Sequence, residues 1–444
     1  MKRSYAQQNV AVFGLGASGL AAARLLAAQG AAVTALDSGT SETLRAAGET
    51  LRRETDARVL LGAEATVGSG YDLGILSPGI DPAKSTLVQQ FMAANPSAPI
   101  IGELELAYTL CQCPVIAITG TNGKTTATQL VEKMLNACGV KTVAAGNIGP
   151  AFADKVAESA WLDVMTLEVS SFQLETIVEF HPAIAVWLNF QADHLDRYPS
   201  MKEYYDAKLR IFENQTADDV AIVKLEDSLP PLKARTITFS AYQQGGDFDL
   251  RDGVIHYHGQ PVLAVTDTRL RGLHNAENLM AALAVGVARG LEFAQMVPAL
   301  CDYEPLPHRC ERVRILDGVE YVNDSKATNL DALEKALLSE MRPIVLIAGG
   351  KDKGFEFDSI TDLVAQKARC VIAIGEMRER IVRDWGGRVP CTPAVSLQEA
   401  VVLARKAARP GEVVLFSPGT SSFDMFKSYA DRGDQFRQAV QRLE

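Results

Sequence analysis

The chain has 444 residues, with 44 Lys and Arg against 54 Asp and Glu, and a formal charge of −10. Hydrophobic residues make up 47 % and charged residues 22 %, an ordinary globular composition that excludes extended disorder. At about 100–200 residues per domain the length suits two to four domains, and an acidic chain without a block of like charge argues against coating nucleic acid or anionic membrane.

Short β-branched runs alternate with Ala/Leu-rich helical stretches, the pattern of parallel α/β folds. Val10–Phe13 reads as a buried strand, Ser18–Gln29 as a helix stopped by Gly30, and Ala32–Leu36 as a second strand. Asp72–Leu76 reads as a strand entering the turn Ser77-Pro78-Gly79, and the Pro/Gly/Ala-rich stretch Met92–Gly102 as a linker. A second α/β unit starts at Pro114, with strand Val115–Ile118 and a helix predicted over Lys124–Ala137, ahead of Gly139. Strands are expected at Thr142–Ala145, Val164–Val169, Ile184–Leu188 and Val220–Val223, a polar β-meander over 240–267, and a helix at Asn275–Arg289.

Pro305-Leu306-Pro307 breaks the chain, since proline removes donors and fixes φ. Alternation then resumes with strands near Val313–Leu316 and Glu320–Val322, helix Asn329–Ser339, strands Pro343–Ile347 and Cys370–Ile374, helix Leu397–Ala408 and strand Glu412–Phe416. Breaks near 103 and 305 give three consecutive α/β domains, 1–103, 104–304 and 305–444. The seven cysteines (Cys111, Cys113, Cys138, Cys301, Cys310, Cys370, Cys391) are scattered without zinc-site spacing and read as reduced cytosolic thiols. The N-terminus MKRSYAQQNV lacks the apolar run of a signal peptide, and no run approaches a membrane span, so a soluble, cytoplasmic protein is expected.

Two glycine loops carry the chemistry. Gly14-Leu15-Gly16-Ala17-Ser18-Gly19 follows a strand and opens a helix, so a helix N-terminus can approach a diphosphate. Asp37, roughly 20 residues on, stands where a ribose-binding acid is expected. Alone, this pattern fits an NAD enzyme, any other diphosphate site, or a turn used only for close packing. The second loop, Ile118-Thr119-Gly120-Thr121-Asn122-Gly123-Lys124-Thr125-Thr126, lies between strand and helix. Backbone N–H groups of such a loop wrap a triphosphate, the lysine neutralises terminal phosphate charge, and the next hydroxyl meets Mg²⁺. Its spacing is a variant, because the first glycine of the usual pattern falls on Ile118.

Glu168, in Leu167-Glu168-Val169-Ser170-Ser171-Phe172-Gln173, ends an apolar strand at the crevice edge where α/β proteins bind ligands, and its oxygens suit Mg²⁺. By propensity alone Lys208 is an exposed helix lysine. Asn147 reads as a turn residue with both a donor and an acceptor, Asn275 as a helix N-cap, and Asn323-Asp324-Ser325-Lys326-Ala327-Thr328-Asn329 as a capped helix start.

The TGTNGKTT variant resembles the ATP-dependent Mur ligases of peptidoglycan synthesis and their folylpolyglutamate-synthase relatives. With the GLGASG start it is similar to the branch that adds D-glutamate to UDP-N-acetylmuramoyl-L-alanine, and the likeness spans the chain. The resemblance implies a Rossmann-like N-terminal domain for the UDP-sugar, a central P-loop-type ATPase sheet, and a Rossmann-like C-terminal domain for the amino acid. It reassigns the first loop from a redox cofactor to UDP, with Asp37 and Ser38 facing uracil, Ala17 and Ser18 the diphosphate, and Ser77 and Gly79 the sugar. Asn147, Ser170, Gln173 and His194 would contact the muramoyl substrate.

For ATP it implies Gly120, Thr121, Asn122, Gly123, Lys124, Thr125, Thr126 and Asn275, with Asn278 towards adenine, Asp324 on the ribose, and Arg309 and Lys326 near the phosphates. Thr125, Glu168, His194 and a carbamylated Lys208 become the metal ligands for Mg²⁺, with Mn²⁺ as the substitute that a histidine ligand allows. Thr328, Lys353, Ser422 and Tyr429 would receive D-glutamate, with Lys351 competing for the role of Lys353. A monomer acting on small molecules is expected, which closes its third domain on substrate. The rival readings are a folate or other Mur ligase, an NAD-dependent oxidoreductase, and a nucleotide-gated binding module.

Overall fold

The computed structural model describes residues 4–147, 149–194, 197–354 and 356–444. Twenty strands form three sheets among these residues. The first contains β1 (Asn9–Phe13), β2 (Ala32–Asp37), β3 (Arg58–Leu61), β4 (Leu73–Leu76) and β5 (Ile100–Gly102) in the order β3-β2-β1-β4-β5, all parallel. Chain order reverses between β1 and β4, so a crevice opens beyond their carboxyl ends, at Gly14 and Ser77.

The second sheet contains β6 (Val115–Thr119), β7 (Ala144–Gly146), β8 (Met165–Glu168), β9 (Ile184–Trp187), β10 (Val220–Lys224), β11 (Arg235–Ser240), β12 (Phe248–Arg251), β13 (Val254–Tyr257) and β14 (Gln260–Ala264). Its order is β14-β13-β12-β11-β10-β9-β6-β8-β7, parallel from β7 to β12 and antiparallel from β12 to β13, as the expected meander requires. Every residue of β6, β8 and β9 is buried, which is why these strands read as unbroken apolar runs and not as alternation.

The third sheet runs β15-β16-β20-β17-β18-β19, from β15 (Glu311–Leu316), β16 (Val319–Asn323), β17 (Ile344–Gly349), β18 (Ala368–Ile374), β19 (Cys391–Pro393) and β20 (Val413–Phe416). It is parallel apart from β15 on β16. Successive residues of β17 feed opposite faces: Val345 and Ile347 join one core with Phe416 and Phe436, while Ile344, Leu346 and Ala348 join another with Leu415 and Trp385.

The chain divides into two compact units, residues 1–190, 197–263 and 277–300 in one, and 191–196, 264–276 and 301–444 in the other. The first two sheets share a unit because one apolar core runs from Val10 and Val12 through Leu104 and Ala107 to Ala117 and Leu167. Helices Ala17–Ala28, Glu103–Leu110 and Phe152–Lys155 pack together in it. No helix among the described residues is long and apolar enough to cross a membrane.

The stretch Met92–Gly102 is not the linker its composition suggests. Its first residues end the helix Thr86–Ala94, and its last three form β5. Tertiary bonds override composition here: Asn95 accepts from the Tyr71 N–H at 3.0 Å and donates to Gly68 O at 2.9 Å.

Helix Glu103–Leu110 carries two buried acids. Glu105 accepts the backbone N–H groups of Val178, Glu179 and Phe180 at 2.9, 2.7 and 3.0 Å, which fastens the segment after β8 to this helix. Glu103 accepts from the Ala153 N–H at 2.6 Å, but its Oε2 has no partner among the described residues. Burial pushes the Glu103 carboxyl up to about 7. A carboxyl raised in the folded state binds its proton more tightly there than when unfolded. Its share of stability is therefore present below the ordinary carboxylate pKa and is lost as pH rises through about 7. Glu103→Gln keeps the acceptor and removes the charge. Urea unfolding should show the variant more stable than the parent at pH 8, by roughly 3 kcal/mol at most, with the difference closing towards pH 5.

Candidate functional site

Beyond β1 and β4 lies a cavity of about 530 Å³ whose lining includes Ala17, Ser18, Asp37, Ser38, Ser77 and Gly79. All six N-terminal positions singled out in the sequence thus meet on one surface. Gly14 has φ +88°, and a Cβ there would come within 2.9 Å of Ile80; one at Gly19 would lie 1.8 Å from Gly14 O. Two of the three motif glycines are therefore required by packing. The helix Ala17–Ala28 starts at Gly16 without a side-chain cap. Asp37 accepts from the Leu15 N–H at 2.9 Å and the Gly39 N–H at 2.8 Å, so it braces the loop as well as lining the cavity.

Pro78 and Ile80 also border a small cleft with Gln173 and Arg197, next to the end of β8. Ser170 and Gln173 form a capping box on the short helix Ser171–Leu174. Gln173 Oε1 accepts from the Ser170 N–H at 2.9 Å.

The second loop links β6 to the helix Lys124–Ala137, whose bounds match the prediction. Gly123 precedes that helix at φ +84°, and a Cβ there would lie 2.5 Å from Asn278 Oδ1, which places Asn278 against the turn of the loop. Lys124 Nζ donates to Gly120 O and Thr121 O at 2.8 and 2.9 Å. Thr125 Oγ1 donates to Glu168 Oε2 at 2.8 Å, and Asn147 Nδ2 to Glu168 Oε1 at 2.7 Å. Glu168 is buried at the end of β8, next to β6, as the strand pattern required.

Lys208 lies in the helix Met201–Leu209 but is not the exposed lysine that propensity suggests: it is 1 % exposed, donates to Gly120 O at 2.9 Å, and lies 4.8 Å from the Tyr204 ring centroid. Asn189 went unassigned in the sequence although it clamps the loop. Its carbonyl accepts from the Thr121 N–H at 3.0 Å, while its amide exchanges bonds with Asn122 N–H at 2.9 Å and Asn122 O at 3.0 Å. Its place directly after an apolar strand adjacent to the loop strand was the available signal. Asn275 is not an N-cap. It is the third residue of the helix Leu273–Ala288 and donates to Arg271 O at 2.8 Å. Ile148, which follows Asn147, and Leu195 and Asp196, which follow His194, lie outside the described residues.

In the other unit, the ends of β16, β17 and β20 gather the C-terminal candidates. Asp324 accepts from Ser417 Oγ at 2.9 Å and the Cys310 N–H at 3.2 Å, and burial pushes its carboxyl up to about 6. Arg309 sits between two left-handed residues, His308 (φ 68°) and Cys310 (φ 47°). Lys326 Nζ lies 4.0 Å from the Tyr429 ring centroid, and Tyr429 starts the helix Tyr429–Gln441. Arg432, fully buried, donates to Ser325 Oγ, Ser325 O and Thr420 O at 3.0, 2.8 and 3.1 Å, fixing the loop that contains Ser422. Burial pulls its guanidinium down to about 10.

Lys351 is pinned by its backbone to Ser421, whereas Lys353 Nζ faces Asp193 Oδ1 at 3.6 Å. His194, at φ 57°, follows Asp193 and bonds to it through its own N–H. Burial raises the Asp193 carboxyl, but the His194 ring, the Lys353 ammonium and the hydrogen bonds from the His194 N–H and Asn329 together outweigh it, and the net shift is downward. Asn329 caps the helix Leu330–Ser339 next to Thr328.

The family model for the Mur ligase middle domain matches residues 118–286, and that for the Mur ligase, glutamate ligase domain matches residues 308–419. The UDP-N-acetylmuramoylalanine--D-glutamate ligase of Geobacter metallireducens is 40 % identical over 98 % of both chains, and that of Geotalea uraniireducens is 42 % identical over 98 % of both. The chain belongs to the Mur ligase family.

Solved structures agree on the fold across the whole length of this Mur ligase. A MurF ligase from Thermotoga maritima in complex with ADP covers 100 % of both chains with TM-score 0.62 and 14 % identity. A pseudomurein peptide ligase type C from Methanothermus fervidus covers 99 % of this chain and 100 % of its own with TM-score 0.60 and 17 % identity. Gly123→Ala should destabilise this Mur ligase by about 2 kcal/mol through left-handed strain and overlap with Asn278. Gly79→Ala, with open space around the added Cβ, should stay within about 0.5 kcal/mol, both read from urea midpoints.

Proposed function

We propose that this chain joins D-glutamate to UDP-N-acetylmuramoyl-L-alanine in peptidoglycan synthesis, driven by conversion of ATP to ADP and phosphate. The observation that carries the reading is the TGTNGKTT loop with Lys124 folded over it and Thr125 bonded to Glu168, in a chain about 40 % identical along its length to relatives of that name. The three regions 1–103, 104–304 and 305–444 then serve UDP-sugar, ATP and amino acid.

Joining a carboxylate to an amine is unfavourable in water. The L-alanyl carboxylate first attacks the γ-phosphorus, releasing ADP and leaving an acyl phosphate. The D-glutamate amine then attacks that carbonyl, forms the amide, loses a proton and expels phosphate. The loop N–H groups from Gly120 to Thr126 hold the phosphates, and Lys124 swings from its carbonyls onto their charge. Asn278 takes the adenine edge with Asn275 as a further ATP contact, Asp324 the ribose, and Arg309 and Lys326 the phosphate charge.

Thr125 and Glu168 turn two hard oxygens towards each other, a donor set that suits Mg²⁺ or Mn²⁺. With His194 and Lys208 they would hold the metal, which when bound supplies charge neutralisation to the transferring phosphoryl group. Burial of Lys208 beside a second ammonium is the setting in which an amine reacts uncharged with CO₂, so carbamylation is assigned there. Ala17, Ser18, Asp37, Ser38, Ser77 and Gly79 seat the UDP portion, and Asn147, Ser170, Gln173 and His194 the muramoyl end. Thr328, Lys353, Ser422 and Tyr429 receive the amino acid, matching cation and hydroxyls to carboxylates. The enzyme acts as a cytoplasmic monomer.

Phosphate release should require ATP, UDP-N-acetylmuramoyl-L-alanine and D-glutamate together. Release without the UDP-sugar, or with L-glutamate preferred in a screen of D- and L-amino acids, overturns the reading. Lys124→Ala should abolish turnover, and Asn189→Ala should raise the KM for ATP about tenfold by freeing the loop it clamps. Lys208→Ala should lose activity that short carboxylic acids partly restore; no loss, or no rescue, removes the carbamate.

A further inference from the structure

The segment 191–196 belongs to the unit of the third sheet, and Asp193 is the acid it carries there. Asp193 is 8 % exposed. Its Oδ2 accepts from Asn329 Nδ2 at 3.2 Å, and its Oδ1 lies 3.6 Å from Lys353 Nζ. Asn329 is oriented by its capping duty, since its Oδ1 accepts from the Ala332 N–H at 2.9 Å and its amide nitrogen therefore turns to Asp193. An ammonium and an amide N–H beside Thr328 thus already enclose a carboxylate, and that carboxylate is the protein's own.

The contact between Asp193 and Lys353 is an ion pair too long for a hydrogen bond, so charge holds it and not directional bonding. Its side chains are 11 % and 28 % exposed, which leaves the attraction less screened than in a surface pair. Such a contact is strong enough to occupy the cation and loose enough to be exchanged for another carboxylate.

We infer that Asp193 is an internal stand-in for the acidic amino acid: it occupies Lys353 while the pocket is empty, and the incoming carboxylate replaces it. This rests on the reading of Lys353 as the amino-acid cation. Affinity is then set by the difference between two carboxylates on one ammonium. An amino acid that brings a neutral group to Lys353 cannot displace Asp193, so the stand-in excludes uncharged analogues as well as holding the pocket ready.

Asp193→Asn removes the charge and keeps an amide-sized partner for Asn329. Phosphate-release kinetics should show the KM for D-glutamate lowered about 3- to 10-fold, with KM values for ATP and UDP-N-acetylmuramoyl-L-alanine changed less than about twofold. Lys353→Ala should raise the KM for D-glutamate, and adding Asp193→Asn to it should lower that value no further. An unchanged or raised KM in Asp193→Asn, with Lys353→Ala impaired, overturns the stand-in while leaving the site reading intact. A Lys353→Ala enzyme with the parent's KM for D-glutamate instead overturns the site reading, and the stand-in with it. Should Asp193→Asn fail to fold, Asp193→Ser is read in the same way.

Discussion

One carbonyl oxygen organises the central loop. Gly120 O accepts from Lys124 and from Lys208, one at the start of the loop helix and the other 88 positions further along the chain from that carbonyl. Two ammonium groups are thereby drawn to within two hydrogen-bond lengths of each other in a buried setting. Convergence of like charge is unfavourable in low dielectric; Lys124 is the cation that can turn to receive phosphate charge, and conversion of Lys208 to the proposed carbamate relieves the convergence. The loop is stiffened before any ligand arrives, because Asn189 fixes Thr121 and Asn122 and Glu168 takes Thr125 and Asn147. Preorganisation of this kind moves the ordering cost from the binding step to the folding of the sheet.

The same device recurs at each sheet. Side chains that could meet a ligand stand at or just beyond the carboxyl ends of parallel strands: Asp37 and Ser77 at the first, Glu168 and Asn189 at the second, Asp324 and Ser417 at the third. Each is held by a backbone or side-chain partner from the neighbouring connection, as Asp324 is by Ser417 and Asp37 by Leu15. The parallel ladders set the strand ends side by side, and the bonds beyond them set side-chain direction.

That division explains what could be read in the amino-acid sequence. The helix Lys124–Ala137 was legible to its last residue because glycines punctuate both ends, Gly123 at φ +84° and Gly139 at φ +80°. The buried strands and the meander were legible from apolar runs and from their interruption. The three residues of β5 were not, since three residues carry no period and the strand exists by pairing with β4. Lys208 could not be placed by propensity, because its burial is decided by Gly120 and Tyr204, both distant in sequence. The N-cap expected of Asn275 failed for a related reason: the helix starts two residues earlier, and the side chain turns back to Arg271.

Several residues expected to touch ligands already have internal partners. Ser170 and Gln173 cap a helix of four residues, Asp37 braces a glycine loop, and Asp324 anchors the turn around Cys310. Such bonds are worth about 1 kcal/mol each when neutral and about 1.5–3 kcal/mol with a charged partner. A ligand that had to break them would lose much of what it gained. Carboxylate oxygens, however, accept more than one hydrogen bond each, so Asp37 and Asp324 can keep the fold and still meet a donor. The capping pair has less to spare, because Gln173 Oε1 already accepts from both the N–H and the hydroxyl of Ser170. Acidic positions in this architecture are therefore able to serve structure and recognition together, while the Ser170 and Gln173 pair is already engaged in capping the helix Ser171–Leu174 and would meet a ligand through its remaining donors.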